Sequence, residues 1–188
     1  DAWAGSVIKD PPVPLCVDLE LASLCGLSCP SCYWGESQFQ KDMDGEGAMS
    51  KQLMPTELAM SLVREAWVLG VPSMKFHGRG DGIHHRDYVA ILGHAKELKA
   101  IGGRVFELLV NTHGNKARSK VEGLMFADKV MISLDSTVPS RYERMRRGGR
   151  FGDVAWTIEE LLSRGHKNVW VRRIITDENR DEDFVGEV

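Results

Sequence analysis

The sequence lacks the features of a membrane-spanning, secreted or nucleic-acid-binding protein. No apolar run approaches the roughly 20 residues needed to cross a bilayer, and the first residues carry neither the basic flank nor the apolar stretch of a secretory signal. A net charge of -3 over 188 residues also leaves no surplus of lysine and arginine for nucleic acid or an anionic membrane surface. We therefore predict a cytoplasmic protein with no nucleic-acid partner and no membrane partner.

The distribution of apolar residues predicts an α/β fold. Apolar residues make up 43% of the chain and charged residues 27%, values typical of a globular domain. Strand-like apolar runs alternate with helix-length amphipathic segments, as expected for parallel βα units. The predicted strands are 14–22, 73–77, 105–110, 129–134 and 168–175. We interpret residues 1–188 as a single domain, a partial parallel barrel with about five βα units.

Four helices are predicted between these strands. The first begins at Pro55 and Thr56 and ends at Gly70, because proline favours the start of a helix and glycine its end. The others are predicted at 87–100, 116–126 and 153–164. The basic stretch between the fourth strand and the last helix is predicted to be a loop.

Three of the four cysteines lie close together after the first predicted strand. Cys25, Cys29 and Cys32 form the pattern CxxxCxxC, whereas Cys16 is predicted to be a buried thiol inside the strand. Clustered thiols in a chain without a secretory signal indicate metal binding or redox chemistry. Three thiolates leave one position open, which on an iron–sulfur cluster is an iron free to bind a substrate or cofactor. Zinc is an alternative, with His113 or Cys16 as the fourth ligand.

Three further segments follow the next three predicted strands, and they carry a family resemblance. They read FHGRGDG from 76 to 82, NTHG from 111 to 114 and ISLD from 132 to 135. Together with CxxxCxxC, and in this order, they resemble the motifs of the radical S-adenosylmethionine (radical SAM) superfamily: Gly-Gly-Glu, Thr-Asn-Gly and Ser-Leu-Asp. The stretch from Tyr142 to Arg150 is similar to the corresponding segment of peptide-modifying and molybdenum-cofactor-type members.

The resemblance implies a TIM-like barrel core with two cofactors, a 4Fe–4S cluster and S-adenosyl-L-methionine (SAM). Cys25, Cys29 and Cys32 are implied to be the cluster ligands and the catalytic residues. The residues implied to bind SAM are Gly78, Gly80, Asp81, Asn111, Ser133 and Arg146. Glycine permits close backbone approach to a ligand, and the Asp81 carboxylate can accept hydrogen bonds from an ammonium group.

The implied reaction is reductive cleavage of SAM at the cluster to a 5′-deoxyadenosyl radical, which abstracts hydrogen from a substrate. An external one-electron reductant such as flavodoxin or ferredoxin would be a partner. The substrate is expected to be a peptide or protein, with a small molecule of cofactor biosynthesis as the alternative. A non-catalytic, metal-stabilised binding domain is the competing hypothesis. A ferredoxin-like electron carrier is disfavoured because it needs a fourth cysteine ligand.

The sequence departs from the family pattern at three positions. Asp81 stands where the family has glutamate, Gly82 where proline is common, and Ser31 where an aromatic residue is frequent. The family core usually has six βα units, so the chain is expected to lack the sixth unit and a C-terminal substrate region.

Four histidines fall near the predicted strand ends. His77 and His113 are candidates for contact with a substrate or for a supporting role. His84 and His85 are adjacent and are interpreted as surface or helix-entry residues.

Overall fold

The computed structural model describes residues 13–34 and 52–184, which form a five-stranded parallel sheet flanked by helices. Every neighbouring pair of strands is parallel, and the spatial order of the strands is their order in the chain. This confirms the predicted α/β fold and its five strands. The strands are β1 (Val17–Leu19), β2 (Ser73–Phe76), β3 (Glu107–Thr112), β4 (Lys129–Ser133) and β5 (Val169–Arg172).

Five α-helices occur in the described part of the chain. They are α1 (Thr56–Leu69), α2 (Tyr88–Ile101), α3 (Val121–Met125), α4 (Pro139–Met145) and α5 (Phe151–Ser163). As predicted, α1 ends at Gly70, whose φ of 81° lies in the left-handed region that favours glycine. None of these helices is long and apolar enough to cross a membrane.

The prediction of a loop before α5 was wrong, because α4 lies there. Pro139 is at the first position of this helix, where its missing N–H costs no hydrogen bond. Tyr142 and Met145 are its buried residues, and they are separated by one helical turn. The many charged residues of the segment indicated a loop, because the helix buries only two side chains and so shows little apolar periodicity.

The prediction that Cys16 is a buried strand thiol was also wrong. Cys16 is exposed and precedes β1, which begins at Val17 and has only three residues. Its Sγ lies 3.9 Å from Oδ1 of Asp18. A short first strand therefore leaves this cysteine outside the core.

The two faces of the sheet have different roles, and β3 shows the division. Leu108, Val110 and Thr112 are buried, and the alternate residues Leu109 and Asn111 are only half-buried. The buried face packs on the helices, as the period-two alternation of a strand requires. The opposite face is free to present side chains near the carboxyl ends of the strands, where ligands bind in α/β folds.

Candidate functional site

All nine site residues predicted from the sequence line one cavity of about 370 Å³. The cavity lies at the carboxyl ends of the strands, between the loop after β1, the loop after β2 and the ends of β3, β4 and β5. The predicted residues that it brings together are Cys25, Cys29, Cys32, Gly78, Gly80, Asp81, Asn111, Ser133 and Arg146.

The three thiols are free and occupy one tight loop. Cys29 is buried, Cys25 and Cys32 are partly buried, and the Cys32 N–H donates to the Cys29 carbonyl at 3.0 Å. Burial raises the pKa of Cys25 to about 11 and also raises that of Cys29, where nearby Arg146 partly offsets the effect. The protein alone therefore favours the protonated form of Cys25 and Cys29, and a bound metal centre would supply the charge that stabilises thiolates.

This donor set fits an iron–sulfur cluster. Thiolates are the ligands of 4Fe–4S clusters, and here three thiols open onto a cavity with room for a further ligand. Within residues 13–34 and 52–184, no three side chains of His, Cys, Asp or Glu are placed to hold a single metal ion. The thiolates of a cluster bind separate irons, so they need not converge on one point.

The glycine-containing segment after β2 packs against the backbone that leads into the cysteine loop. A Cβ atom on Gly80 would lie 2.3 Å from the carbonyl oxygen of Leu24, and the N–H of Asp81 donates to that oxygen at 2.8 Å. Gly80 therefore allows the backbone to approach the residues that lead into Cys25. We predicted that Gly80 allows its backbone to approach a ligand closely. The structure shows a close approach of Gly80 to the backbone of Leu24.

The cysteine loop also has contacts on its outer side. The Ser28 N–H donates to the carbonyl of Arg147 at 2.8 Å, and the Gly26 N–H donates to Nε2 of His84 at 3.0 Å. Of the two interpretations of His84 and His85, the surface position was wrong, whereas both residues do lie at the entry to α2, in and just after the short 3-10 turn that precedes it. His84 is half-buried, and His85 is fully buried with Nε2 2.7 Å from the carbonyl oxygen of Met54. His84 thus contacts the cysteine loop, and His85 contacts the segment before α1. The adjacency of the two histidines in the sequence gave no indication of these contacts.

Asp81 is buried and accepts three hydrogen bonds from its own chain. Its Oδ2 accepts from the Thr112 hydroxyl at 2.8 Å and from the His113 N–H at 2.7 Å, and its Oδ1 accepts from the Ile83 N–H at 3.1 Å. A carboxylate has about four lone-pair positions, so one position remains for a donor in the cavity. Nε2 of His113 is buried 3.4 Å from Oδ2 of Asp81 and has no hydrogen bond to any described residue, and burial lowers the pKa of this imidazole.

Arg146 reaches the cavity from the residue after α4. Its Nε lies 2.6 Å from Oδ2 of Asp135, which is buried directly after β4. The guanidinium also influences Cys29, as the pKa of that thiol shows. We predicted that Arg146 contacts SAM; the structure adds that a carboxylate already neutralises it.

Sequence reasoning missed several residues of the cavity, among them Arg79, Trp34 and Arg172. Arg79 forms an ion pair with Glu20 at 2.6 Å, and its guanidinium lies 5.3 Å from the ring centroid of Trp34. Partial burial raises the pKa of Glu20, but hydrogen bonds from Arg79 outweigh it and leave that pKa below its ordinary value. Glu20 and Arg79 are 59 residues apart, and only the pairing of β1 with β2 brings them together.

Comparison with known proteins gives curated relatives but no family model that matches. The chain is 27% identical over 162 residues to the GTP 3′,8-cyclase of Clostridium botulinum, covering 85% of this chain and 47% of the relative. It is 29% identical over 127 residues to the probable GTP 3′,8-cyclase of Methanosarcina acetivorans, covering 68% of this chain and 35% of the relative. The chain thus spans about half or less of the length of these relatives. These cyclases are radical SAM enzymes.

The chain is therefore similar in sequence to members of the radical SAM superfamily. Two solved structures share its fold. The crystal structure of anSMEcpe with bound AdoMet has a TM-score of 0.66 at 17% identity, covering 92% of this chain and 46% of that one. BtrN in complex with AdoMet and 2-DOIA has a TM-score of 0.59 at 13% identity, covering 85% and 56%. The radical SAM superfamily consists of enzymes that use a 4Fe–4S cluster and SAM.

Proposed function

We propose that this chain forms the catalytic core of a radical SAM enzyme, with the cluster on Cys25, Cys29 and Cys32. The observation that carries the proposal is the cavity shared by these thiols and the six residues predicted to bind SAM. When bound, the cluster and SAM supply a 5′-deoxyadenosyl radical for hydrogen abstraction.

The residues around the cavity suit a zwitterionic ligand. The Ser133 hydroxyl and the Asn111 amide offer neutral donors and acceptors. The remaining lone-pair position of Asp81 suits an ammonium group, which is a strong charge-assisted donor. Arg146 is neutralised by Asp135, so we assign it a positioning role beside Cys29 and a shared contact with a ligand carboxylate.

For the substrate, the curated relatives favour a small molecule of cofactor biosynthesis over a peptide. Both are named as GTP 3′,8-cyclases. We therefore propose a small-molecule substrate, in place of the peptide that the sequence motifs first suggested.

The reductant is proposed to dock on a basic surface outside the cysteine loop, formed by Lys116, Arg147 and Arg150. The Arg147 carbonyl accepts from Ser28, and Cε of Lys116 lies 3.6 Å from where a Cβ on Gly26 would be. All three cations are exposed, and none forms an ion pair with a described residue. A surface of this charge next to the cluster loop suits an acidic electron carrier such as flavodoxin, since complementary charge accelerates docking.

The proposed function is tested by anaerobic reconstitution with iron and sulfide, followed by EPR spectroscopy of the reduced protein with and without SAM. We expect nearly four irons per chain, a reduced-cluster signal that changes when SAM is added, and formation of 5′-deoxyadenosine. Stoichiometric zinc without a cluster, or a cluster signal that SAM leaves unchanged, would overturn the proposal in favour of a metal-stabilised binding domain.

A further inference from the structure

Three arginines of the described segments line the cavity, and one of them has no carboxylate partner within those segments. Arg79 pairs with Glu20 and Arg146 pairs with Asp135, each at 2.6 Å. Arg172 forms no ion pair with any residue of 13–34 or 52–184, although it lines the same cavity. The cavity therefore keeps one guanidinium whose charge the described chain does not neutralise.

Among the described residues that line the cavity, the charged side chains are Arg79, Arg146, Arg172 and Asp81, and the first two are neutralised by Glu20 and Asp135. Asp81 is buried and already accepts three hydrogen bonds. Burial and the charge of nearby Lys75 lower the pKa of His77, which lines the cavity as a neutral imidazole. Among the described residues, no carboxylate forms an ion pair with Arg172 that would compete with an anion entering the cavity.

One neutral polar group, the Ser133 hydroxyl, lies beside Arg172 on the same face of the sheet, and others line the same cavity. Ser133 is its partner in the β4–β5 register. Asn111, on β3, presents Nδ2 3.4 Å from Nδ1 of His77. Arg172, Ser133, Asn111 and His77 all line the cavity. A guanidinium beside a hydroxyl group suits phosphate or carboxylate oxygens, which arginine binds through two parallel hydrogen bonds.

We propose that Arg172 binds an anionic group, a phosphate or a carboxylate, of the small-molecule substrate, with Ser133 as the neighbouring hydrogen-bonding group. This inference rests on the proposed function for the place of the reaction and adds the chemical class of the substrate. The carboxylate of SAM is a second source of the same chemistry, so the experiment must separate the two.

The test measures binding of inorganic pyrophosphate to the reconstituted protein by calorimetry at low salt, with cluster absorbance followed throughout. The variants are Arg172→Gln, Arg172→Lys and the control Arg64→Gln, which changes an exposed arginine of α1 outside the cavity. We expect Arg172→Gln to weaken pyrophosphate binding by about tenfold or more, Arg172→Lys to weaken it less, and Arg64→Gln to leave it unchanged.

Iron content and the SAM-dependent EPR change should be the same in Arg172→Gln as in the unmodified protein. Equal pyrophosphate affinity in Arg172→Gln, or no binding to the unmodified protein, would overturn the inference. So would a loss of the SAM response in Arg172→Gln with pyrophosphate binding intact, because Arg172 would then hold the carboxylate of SAM. A failure of the proposed function is distinguishable, since the unmodified protein would itself lack the cluster signal.

Discussion

The Thr112 hydroxyl donates to Oδ2 of Asp81 at 2.8 Å, and this buried contact joins the loop after β2 to the end of β3. The same oxygen accepts the N–H of His113, and the Thr112 hydroxyl oxygen accepts the N–H of Gly114 at 3.1 Å. Two segments with family-like motifs are thus fixed to each other by one carboxylate and one hydroxyl. These buried polar groups satisfy one another at the floor of the cavity.

Replacing Thr112 with valine should therefore destabilise the protein. The change keeps the side-chain shape but removes a donor to Asp81 and an acceptor for Gly114, and unsatisfied buried groups cost about 1–3 kcal/mol. Thr112→Ser retains the hydroxyl and should cost less. The free energy of unfolding, measured by urea denaturation, checks this. A Thr112→Val protein as stable as Thr112→Ser would show that the hydrogen bonds contribute nothing.

The close packing of Gly80 predicts that alanine is not tolerated there. Its Cβ would lie 2.3 Å from a backbone oxygen, which no rotamer change can relieve. We expect Gly80→Ala to cost about 1–3 kcal/mol of stability and to lower iron incorporation, because the cysteine loop must shift. Gly152→Ala is the control. Gly152 lies in α5 with open space around its Cβ position, so alanine there should be neutral or stabilising.

The contrast between the clustered cysteines and Cys16 gives a direct test of the ligand set. Cys25→Ser, Cys29→Ser and Cys32→Ser should each abolish or strongly reduce iron binding after reconstitution, because serine does not replace a thiolate ligand. Cys16→Ser should retain full iron content, since Cys16 is exposed and does not line the cavity. Iron and sulfide analysis measures the result. Loss of iron in Cys16→Ser would contradict the assignment.

Much of the fold and the site could be predicted from the sequence because the signals are local. Apolar periodicity located the five strands, and Gly70 marked the end of α1. The nine predicted residues share a cavity because parallel strands bring their carboxyl ends to one edge. The ion pair between Glu20 and Arg79 was not predictable, since it depends on contact between distant segments. The exposure of Cys16 depends likewise on how many residues of the first strand pair with β2.

The buried imidazoles predict how stability changes with pH. Burial lowers the pKa of His113 and of His77 below the ordinary 6.5. As the pH falls through this value, the unfolded chain binds protons that the folded protein does not, so the free energy of unfolding decreases. Each histidine contributes a slope of up to about 1.4 kcal/mol per pH unit.

Urea denaturation of the metal-free protein from pH 7.5 to 5.5 measures this slope. His113→Gln should reduce the slope because it removes one of the groups that titrate. An unchanged slope in His113→Gln would show that His113 is protonated equally in the folded and unfolded states.

The proposed docking surface predicts that reduction of the cluster by a protein donor depends on charge. In the double variant Arg147→Glu and Arg150→Glu, we expect the rate of cluster reduction by reduced flavodoxin to fall about tenfold at low salt and less at high salt, because salt screens the interaction. Reduction by photoreduced deazaflavin, a small molecule that needs no docking surface, should be unchanged. Arg64→Glu is the control, since its arginine lies on α1 away from the cysteine loop.

These rates, followed by the loss of cluster absorbance, separate docking from damage to the cluster site. Slow reduction by both donors would mean that the substitutions disturb the cysteine loop, to which the Arg147 carbonyl is hydrogen-bonded. Equal slowing by Arg64→Glu would mean that only the net charge of the protein matters. Selective slowing with flavodoxin, relieved by salt, is the result that places the electron donor on this surface.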